Sequence, residues 1–411
     1  MMMDSYDVVV IGAGPAGLFA AKSAMENGAS VLLIERNRAI GVPVQCAEGL
    51  HPSIVQAFEV PLNTGWINGS IKHISIHSPG GKKAILQMQG GLDKPFLLII
   101  ERKMFQKEAA VWLAKRGCHV LTDAKATGLL KDGNQVNGVR FCHLGEEKQV
   151  KAKVVIAADG PASKTAGWAG IEVPKNTSRQ DTGVQFQMAG IDTKGDHMEI
   201  FFSDLTPGGY AWIFPKADGF ANVGLALKPG EKGSAMARLK EFVANDPRLA
   251  KGSIVEVNAG PVPTGGYLEK AYGNGILVIG DAALMVNPFT GGGLAFASPA
   301  GRIAGRIAAE AVKEGNVTES ALSQFQKEFD KKFLKLFKRS YGIKKIMYEL
   351  PTEKLDSMFD DIGTISIPDK YKTLEETRGY ILRKLFKALI KNAGMILKVR
   401  KAMKEYDIKD D

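Results

Sequence analysis

Two glycine-rich turns contain the residue types of this chain that could bind a phosphate-bearing ligand. The first follows the apolar run 8–11 and contains Gly12, Gly14 and Gly17. The second follows the apolar run 276–279 and comprises Gly280-Asp281 and the glycine triplet 291–293. Each turn leads into an alanine-rich stretch with a helical pattern, and a helix N-terminus offers an anion free N–H groups and the positive end of its dipole. The two turns could therefore bind opposite ends of one extended dinucleotide.

The N-terminal turn matches the dinucleotide-binding fingerprint of a βαβ unit. Gly12 allows the tight turn, Gly14 lets the backbone approach a pyrophosphate, and Gly17 permits close packing of helix on strand. A second predicted strand, 30–34, ends at Glu35, whose carboxylate can accept hydrogen bonds from the adenosine ribose hydroxyls. NAD would satisfy this fingerprint as well. The second turn, at the other end of the ligand, points to FAD.

Length and composition bound the class of protein. At 411 residues, with 45% apolar residues and mixed charges, the chain is expected to form an ordered globular protein of two or three structural units. Apolar runs such as 96–100 are far shorter than the roughly 20 residues that cross a bilayer, and no signal peptide is visible, so we expect a cytoplasmic protein. The cysteines, Cys46, Cys118 and Cys142, show no CxxC spacing, which argues against a disulfide framework or an iron–sulfur cluster. His73 and His77 share one face of a predicted strand, and no metal site is expected.

The order of the predicted elements indicates an α/β fold with an α+β insert. We predict a discontinuous Rossmann-like FAD-binding domain, an inserted antiparallel-sheet substrate domain and a basic helical C-terminal region. Their predicted boundaries are 1–70, 96–180 and 271–321 for the FAD-binding domain, 71–95 and 181–270 for the substrate domain, and 322–411 for the C-terminal region.

Several motifs together resemble those of one flavoprotein family. A Tyr-x-Trp-x-Phe-Pro run at 210–215 precedes an Ala-Asn-Val-Gly run at 221–224, and a further loop surrounds Cys46. The N-terminal fingerprint, Asp159-Gly160 and Gly280-Asp281 with the following Pro288 and glycine triplet are shared more broadly. Over roughly residues 5–350 the chain resembles the geranylgeranyl reductase family within the para-hydroxybenzoate hydroxylase-like flavoproteins. Within that family it is most similar to the archaeal digeranylgeranylglycerophospholipid reductases.

The resemblance implies FAD as the cofactor and assigns residues along it. It implies that Ala16 contacts the pyrophosphate, Glu35 the ribose, and the backbone of Ala126 the adenine end. Asp281 would bind the ribityl–phosphate region, and Arg102 would contact the cofactor from the end of a strand.

At the flavin end the resemblance implies five further contacts. Cys46, Ala47 and Gly49 would touch the flavin, and Gly293 and Leu294 would direct backbone N–H groups at its ring. Such donors stabilise negative charge on a reduced flavin. For Cys46 we also hypothesise a catalytic role, in which it positions the substrate alkene or relays a proton; the alternative is an inert, buried thiol.

The resemblance further implies saturation of isoprenoid double bonds, most specifically in digeranylgeranylglycerophospholipids. Tyr210, Trp212 and Phe214 alternate along one strand and would line an apolar substrate pocket, although an aromatic stripe is by itself typical of sheet core. An aromatic-ring monooxygenase is the alternative enzyme, and a non-catalytic flavin- and lipid-binding protein is the second alternative.

The basic charge bears on the expected partners. A net charge of +10 favours acidic partners or anionic lipid, and no nucleic-acid recognition motif accompanies it. The chain shows no second dinucleotide fingerprint, so the electron donor is expected to be an acidic ferredoxin or a transiently bound NAD(P)H. Residues 378–404 have nine Lys or Arg, no acid and helical apolar spacing. This stretch either packs on the enzyme with a solvated basic face or seats a monomer peripherally on the inner face of the cell membrane.

Overall fold

The computed structural model describes residues 3–59, 64–88, 95, 97–173, 180–368, 380–381, 384, 397–398 and 401–403. Most of the basic stretch 378–404, for which the sequence leaves packing on the enzyme or seating on a membrane open, lies outside the described residues. Within the described part of the chain, no helix is both long enough and apolar enough to cross a membrane.

The strands and helices of the described residues follow in chain order. The strands are β1 (Ser5–Ile11), β2 (Val31–Ile34), β3 (Gly49–Leu50), β4 (Ile67–Ile71), β5 (His73–His77), β6 (Lys83–Met88), β7 (Leu97–Ile100), β8 (His119–Leu121), β9 (Ala124–Asp132), β10 (Gln135–His143), β11 (Glu146–Ala157), β12 (Asp181–Ala189), β13 (His197–Phe201), β14 (Ala211–Ala217), β15 (Phe220–Leu227), β16 (Ser253–Val262), β17 (Tyr272–Gly273), β18 (Ile276–Val278) and β19 (Thr364–Ile367). The helices are α1 (Pro15–Glu26), α2 (Pro52–Gln56), α3 (Arg102–Ala114), α4 (Thr165–Trp168), α5 (Ala235–Asn245), α6 (Leu294–Lys313), α7 (Glu319–Leu322), α8 (Gln324–Glu349) and α9 (Thr352–Ile362). A 3₁₀ turn covers Gly280–Ala283.

The chain divides into two compact units, each built from three segments. The first unit comprises residues 1–44, 102–176 and 263–337, and the second comprises residues 45–101, 177–262 and 338–411. This division by compactness differs from the division by function that the sequence predicts, and the functional boundaries stay a prediction.

A twisted, largely parallel sheet organises the first unit. Its strands follow the order β17-β18-β11-β1-β2-β8, in which β18, β11, β1, β2 and β8 are parallel. The central residues of β1 and β11 are completely buried, which explains their unbroken β-branched runs. Strand β11 also pairs with β10, which in turn pairs with β9, both antiparallel. Helices α1 and α6 pack closely because Gly301 and Gly305 of α6 lie against the α1 backbone.

A mixed, largely antiparallel sheet organises the second unit, with strand order β16-β12-β15-β14-β13-β5-β6-β19, in which β5 pairs with β13 in parallel. One face forms a core with α5, in which residues such as Phe186, Ile213 and Val223 pack on Leu239. The opposite face carries a different set of side chains, among them Gln185, Gln187, Trp212, Phe214, Lys216 and Asn222. A three-stranded sheet, β3-β7-β4, completes the unit.

Strand β19 lies in the region 322–411 that the sequence predicts as helical. It pairs in parallel with β6 and buries Ile365 and Ile367 against the apolar residues of the sheet. The alternation of apolar residues over 364–367 is too short to be distinguished from a turn without its partner strand.

Candidate cofactor and substrate sites

Three turns meet at the carboxyl edge of the parallel sheet in the first unit. Ala158 N–H donates to Ile11 O at 2.8 Å, which places the end of β11 beside the end of β1. Gly12 has a φ of 103°, and a Cβ on it would lie 2.9 Å from the carbonyl carbon of Ala158. A Cβ on Gly280 would lie 2.8 Å from Cβ of Ala16, so the two glycine turns of the sequence are neighbours. This edge is where open α/β sheets bind their ligands.

The first turn offers an open, uncapped helix N-terminus. No side chain caps α1 at Gly14, and a Cβ built on Gly14 would meet nothing within 4 Å. A Cβ on Gly17, in contrast, would overlap the carbonyl oxygen of Gly12. Gly17 therefore serves packing, whereas Gly14 leaves space before free N–H groups. These residues fit a pyrophosphate.

Glu35 fixes the first turn from the end of β2. Its Oε2 accepts the Ala13 N–H at 2.9 Å, and its Oε1 accepts the backbone N–H of Asn37 at 2.9 Å and the side-chain amide at 2.8 Å. Its carbonyl accepts the Ala124 N–H at 2.8 Å, which joins the start of β9 to this edge. Ala126 lies two residues further along β9. The ribose and adenine contacts assigned to Glu35 and Ala126 stay predictions.

The start of α3 is tied to the same turn through a residue that the sequence analysis missed. Arg102 Nε donates to Gln106 Oε1 at 2.7 Å, and Gln106 Nε2 donates to the carbonyl of Ala13 at 3.1 Å. Gln106 is buried, and it lies one helical turn after Arg102 because α3 begins at Arg102.

Asp281 and the start of α6 form the second turn of this edge. Burial raises the pKa of Asp281, and the positive charge of Arg102 partly opposes that rise. A Cβ on Gly293 would lie 2.9 Å from Asp281 Oδ1, so any other residue here would have to displace this carboxyl group. No side chain caps α6, which begins at Leu294. The Asp281 carboxylate therefore lies beside uncapped N–H groups. The carboxylate could accept hydrogen bonds from the hydroxyls of a ligand, and the N–H groups could stabilise negative charge that develops on it.

The third turn, after β11, has a different role. Asp159 accepts hydrogen bonds from the hydroxyl of Ser163 at 2.7 Å and from the hydroxyl of Thr165 at 2.9 Å. Its carboxylate therefore stabilises the entry into α4.

In the second unit, the loop at 45–49 lies against the sheet face opposite α5. Gln185 Nε2 donates to the carbonyl of Cys46 at 3.2 Å, and Asn222 Nδ2 donates to the carbonyl of Ala47 at 3.1 Å. Half-buried Cys46 accepts the Glu48 N–H at its Sγ, at 3.2 Å. Gly49 continues into β3, where a Cβ would lie 2.9 Å from the side chain of Leu97.

The aromatic strand β14 shares that face. Trp212 is buried, and its Nε1 donates to Gln185 Oε1 at 3.0 Å. Its indole lies over Gly224, where a Cβ would be 2.6 Å from Cε2. The ring centroids of Tyr210 and Trp212 are 5.8 Å apart, and those of Trp212 and Phe214 are 6.3 Å apart. Burial raises the pKa of Tyr210. The three rings are contiguous, and their role as a substrate pocket stays a prediction.

A buried ion pair beside this strand is absent from the sequence-based site. The side chains of Glu48 and Lys216 are fully buried, with Nζ 2.6 Å from Oε2, and Lys216 also pairs with Glu101. The same Oε2 accepts Asn222 Nδ2 at 2.9 Å and Gln187 Nε2 at 3.3 Å. The available signals were a lysine directly after the Phe-Pro run and an asparagine within the Ala-Asn-Val-Gly run.

Comparisons with known proteins bear on the family and the cofactor of this chain. The family model for FAD dependent oxidoreductases matches residues 7–270. A digeranylgeranylglycerophospholipid reductase of Methanosarcina acetivorans is 37% identical over 94% of this chain and 94% of the relative. One of Methanocella arvoryzae is 40% identical over 84% of this chain and 88% of the relative.

A solved structure extends the likeness to the fold. The crystal structure of a geranylgeranyl bacteriochlorophyll reductase-like protein from Thermoplasma acidophilum has a TM-score of 0.88 and 28% identity. The match covers 96% of this chain and 100% of the Thermoplasma acidophilum chain. The predicted α/β fold and the predicted FAD cofactor are both confirmed. The chain is an FAD-dependent oxidoreductase and belongs to the digeranylgeranylglycerophospholipid reductase family.

Proposed function

We propose that this protein is an FAD-dependent reductase that saturates the isoprenoid double bonds of digeranylgeranylglycerophospholipids. The observation that carries the proposal is the pairing of β14 with β15 in register Trp212 to Gly224 and Phe214 to Asn222. It places the aromatic rings and the anchor of the Cys46 loop on one sheet face. The relatives that bear this name support the substrate class, and they favour neither a monooxygenase nor a non-catalytic flavin carrier.

The chain's own residues would prepare this reaction in three ways. When bound, FAD supplies the hydride for an alkene carbon. Trp212 and Phe214 offer an isoprenoid chain an apolar surface, and exclusion of water favours alignment of an unactivated alkene. Tyr210 is protonated in the neutral range, and burial, which raises its pKa, extends the neutral phenol to more alkaline pH. The N–H groups of Gly293 and Leu294 would stabilise negative charge at the cofactor.

We assign the cofactor contacts as the resemblance implies them. The ADP half of FAD would be bound by Gly12, Gly14, Ala16, Gly17, Glu35 and Ala126. Its ribityl and flavin half would be bound by Asp281, Gly293, Leu294, Cys46, Ala47 and Gly49, and Arg102 would contact the cofactor from the end of a strand. The open space at Gly14 and the carboxylate of Asp281 beside Gly293 support the assignments in the first unit.

The partners follow from charge and substrate. A reductase of lipids needs a redox partner, and we propose an acidic ferredoxin because the net charge is +10. Reduction of the flavin by NADPH as fast as by ferredoxin in stopped-flow measurements would contradict this. We also propose a monomer that works peripherally on the inner face of the membrane; unchanged liposome binding after neutralising the basic residues of 378–404 would contradict that placement.

One experiment tests the proposed activity. The dithionite-reduced holoenzyme is incubated anaerobically with digeranylgeranylglycerophospholipid, and the lipid is followed by mass spectrometry. We expect a gain of two hydrogens for each double bond reduced. An unchanged lipid mass with retained lipid binding would instead support a binding protein, and oxygen-dependent hydroxylation of an aromatic compound would support the monooxygenase.

A further inference from the structure

We infer that Lys216 is a positioning residue for this reaction, because its buried ion pair with Glu48 fixes the segment that carries Cys46. The inference rests on the proposed function and adds a residue to the same site. Lys216 contacts neither the thiol nor the aromatic rings in the contacts described above. It acts through Glu48.

The ion pair is fully enclosed. Both side chains are 0% exposed, and Oε2 of Glu48 accepts hydrogen bonds from Lys216, Asn222 and Gln187. Charges that have lost their hydration are costly to hold apart, so each group fixes the position of the other. The Glu48 carboxylate is therefore held at one point above the sheet by donors from β12, β14 and β15.

The backbone of Glu48 transmits that position to the thiol. Glu48 has a φ of 69°, in the left-handed region that a residue other than glycine adopts only when its surroundings hold it there. In this conformation its N–H donates to Cys46 Sγ at 3.2 Å, and its carbonyl accepts the Ile100 N–H at 3.2 Å. The side-chain anchor and the orientation of the thiol thus depend on a single strained residue.

Strand β14 connects the anchor to the aromatic surface. Lys216 lies two residues after Phe214 and four after Trp212, on the same face. Gln185 joins the two groups, since it donates to the Cys46 carbonyl and accepts from the Trp212 indole. Loss of the ion pair would let the thiol shift relative to the rings, and a displacement of about 1 Å can cost on the order of a hundredfold in rate.

The test uses the FAD-loaded double variant Lys216→Met/Glu48→Gln, which removes both charges of the fully buried pair. Glu101, the remaining carboxylate, is partly exposed. Alkylation of Cys46 by iodoacetamide is followed peptide by peptide with mass spectrometry, without substrate, and kcat and KM are then measured. We expect Cys46 to be alkylated about tenfold faster and kcat to fall about tenfold or more, with KM changed less. Burial raises the pKa of the Cys118 thiol to about 12, so labelling of Cys118 reports unfolding.

Two further variants keep the result decisive. Arg248→Met is the control, because it breaks a partly exposed ion pair with Glu199 in the same unit. Its alkylation rate and kcat should equal those of the wild type. Asn222→Ser removes the hydrogen bonds to the Ala47 carbonyl and to Glu48 Oε2 without changing a charge, and it tests the anchoring of Glu48 and its loop, on which the inference depends, if the double variant does not fold. A wild-type alkylation rate in the folded double variant or in folded Asn222→Ser would overturn the inference, as would faster alkylation with unchanged kcat. If the wild type does not reduce the lipid, the proposed function fails, and the alkylation rates alone decide whether Lys216 positions Cys46.

Discussion

The glycine turns of the first unit and the sheet face of the second unit are built in different ways. The turns are shaped by backbone, with Gly12 and Gly14 deciding where the chain can approach itself or a ligand. The sheet face is shaped by side chains from distant segments, and Glu48 and Lys216 are 168 positions apart. A site made of backbone has its determinants within a few residues of each other, whereas a site made of side chains depends on the complete fold.

Substitution by alanine should have its largest effect on stability at Gly12, whereas at Gly14 it should affect FAD binding instead. Gly12→Ala would add a Cβ against the carbonyl of Ala158 at a φ of 103°, and we expect a loss of stability on the order of 3 kcal/mol from strain and overpacking. Gly14→Ala meets open space in the protein, so we expect the apoprotein to keep its stability within about 0.5 kcal/mol while FAD affinity falls. Urea unfolding of the apoprotein and FAD titration measure the two quantities.

Two outcomes for the Gly12→Ala and Gly14→Ala proteins would contradict the view that this turn is shaped by its backbone. A Gly14→Ala protein that binds FAD as tightly as the wild type would remove Gly14 from the cofactor site. A Gly12→Ala protein with the stability of the wild type would show that the turn is not limited by its backbone.

The difference between the units explains how much the sequence alone could predict. The buried strand β1, the helix α1 and the two glycine turns were predicted because unbroken apolar runs ending at glycine are local signals. Two hydrogen bonds were not predicted, since they depend on the side-chain directions after folding: the one that Glu35 accepts from the Ala13 N–H and the one that Gln106 donates to the Ala13 carbonyl.

In the second unit, the alternation of Trp212 and Phe214 predicted the strand but not its surroundings. The family resemblance includes both the Tyr-x-Trp-x-Phe-Pro run and the Ala-Asn-Val-Gly run. The register of β14 with β15 gives the physical reason, because it places Trp212 opposite Gly224. Lys216 and Glu48 could not be paired from the sequence, because a charged residue in a strand is usually solvated and nothing local marks it as buried. Strand β19 was missed for a related reason, as its partner β6 lies 279 positions earlier at Ser366 to Gln87.

An intermediate effect is expected on the sheet face. Gly224→Ala would place a Cβ 2.6 Å from Cε2 of Trp212, so the indole must move and its hydrogen bond to Gln185 must weaken. We expect a loss of about 1–3 kcal/mol in stability and a reduced kcat/KM for the lipid. Gly183→Ala is the control on neighbouring β12, where the nearest atom to a new Cβ is at an ordinary 3.5 Å. Equal losses in both variants would show that glycine itself, rather than the fit of Trp212, is what the sheet requires.

The smallest expected effect tests whether the backbone site also depends on a side chain. Glu35→Gln keeps the shape of the residue but leaves one oxygen where the carboxylate has two, so it cannot accept from both Ala13 and Asn37 as before. We expect the apoprotein to lose about 1 kcal/mol of stability. The binding free energy of FAD should fall by a similar amount, because the turn itself loosens. If the ribose contact were the main role of Glu35, FAD affinity would fall while the apoprotein kept its stability.

Asn37→Ala, which removes only the side-chain donor at 2.8 Å, should reproduce part of the stability loss and none of a direct ribose effect. Proportional losses in both quantities would show that even a site shaped by backbone relies on one buried carboxylate to hold its shape.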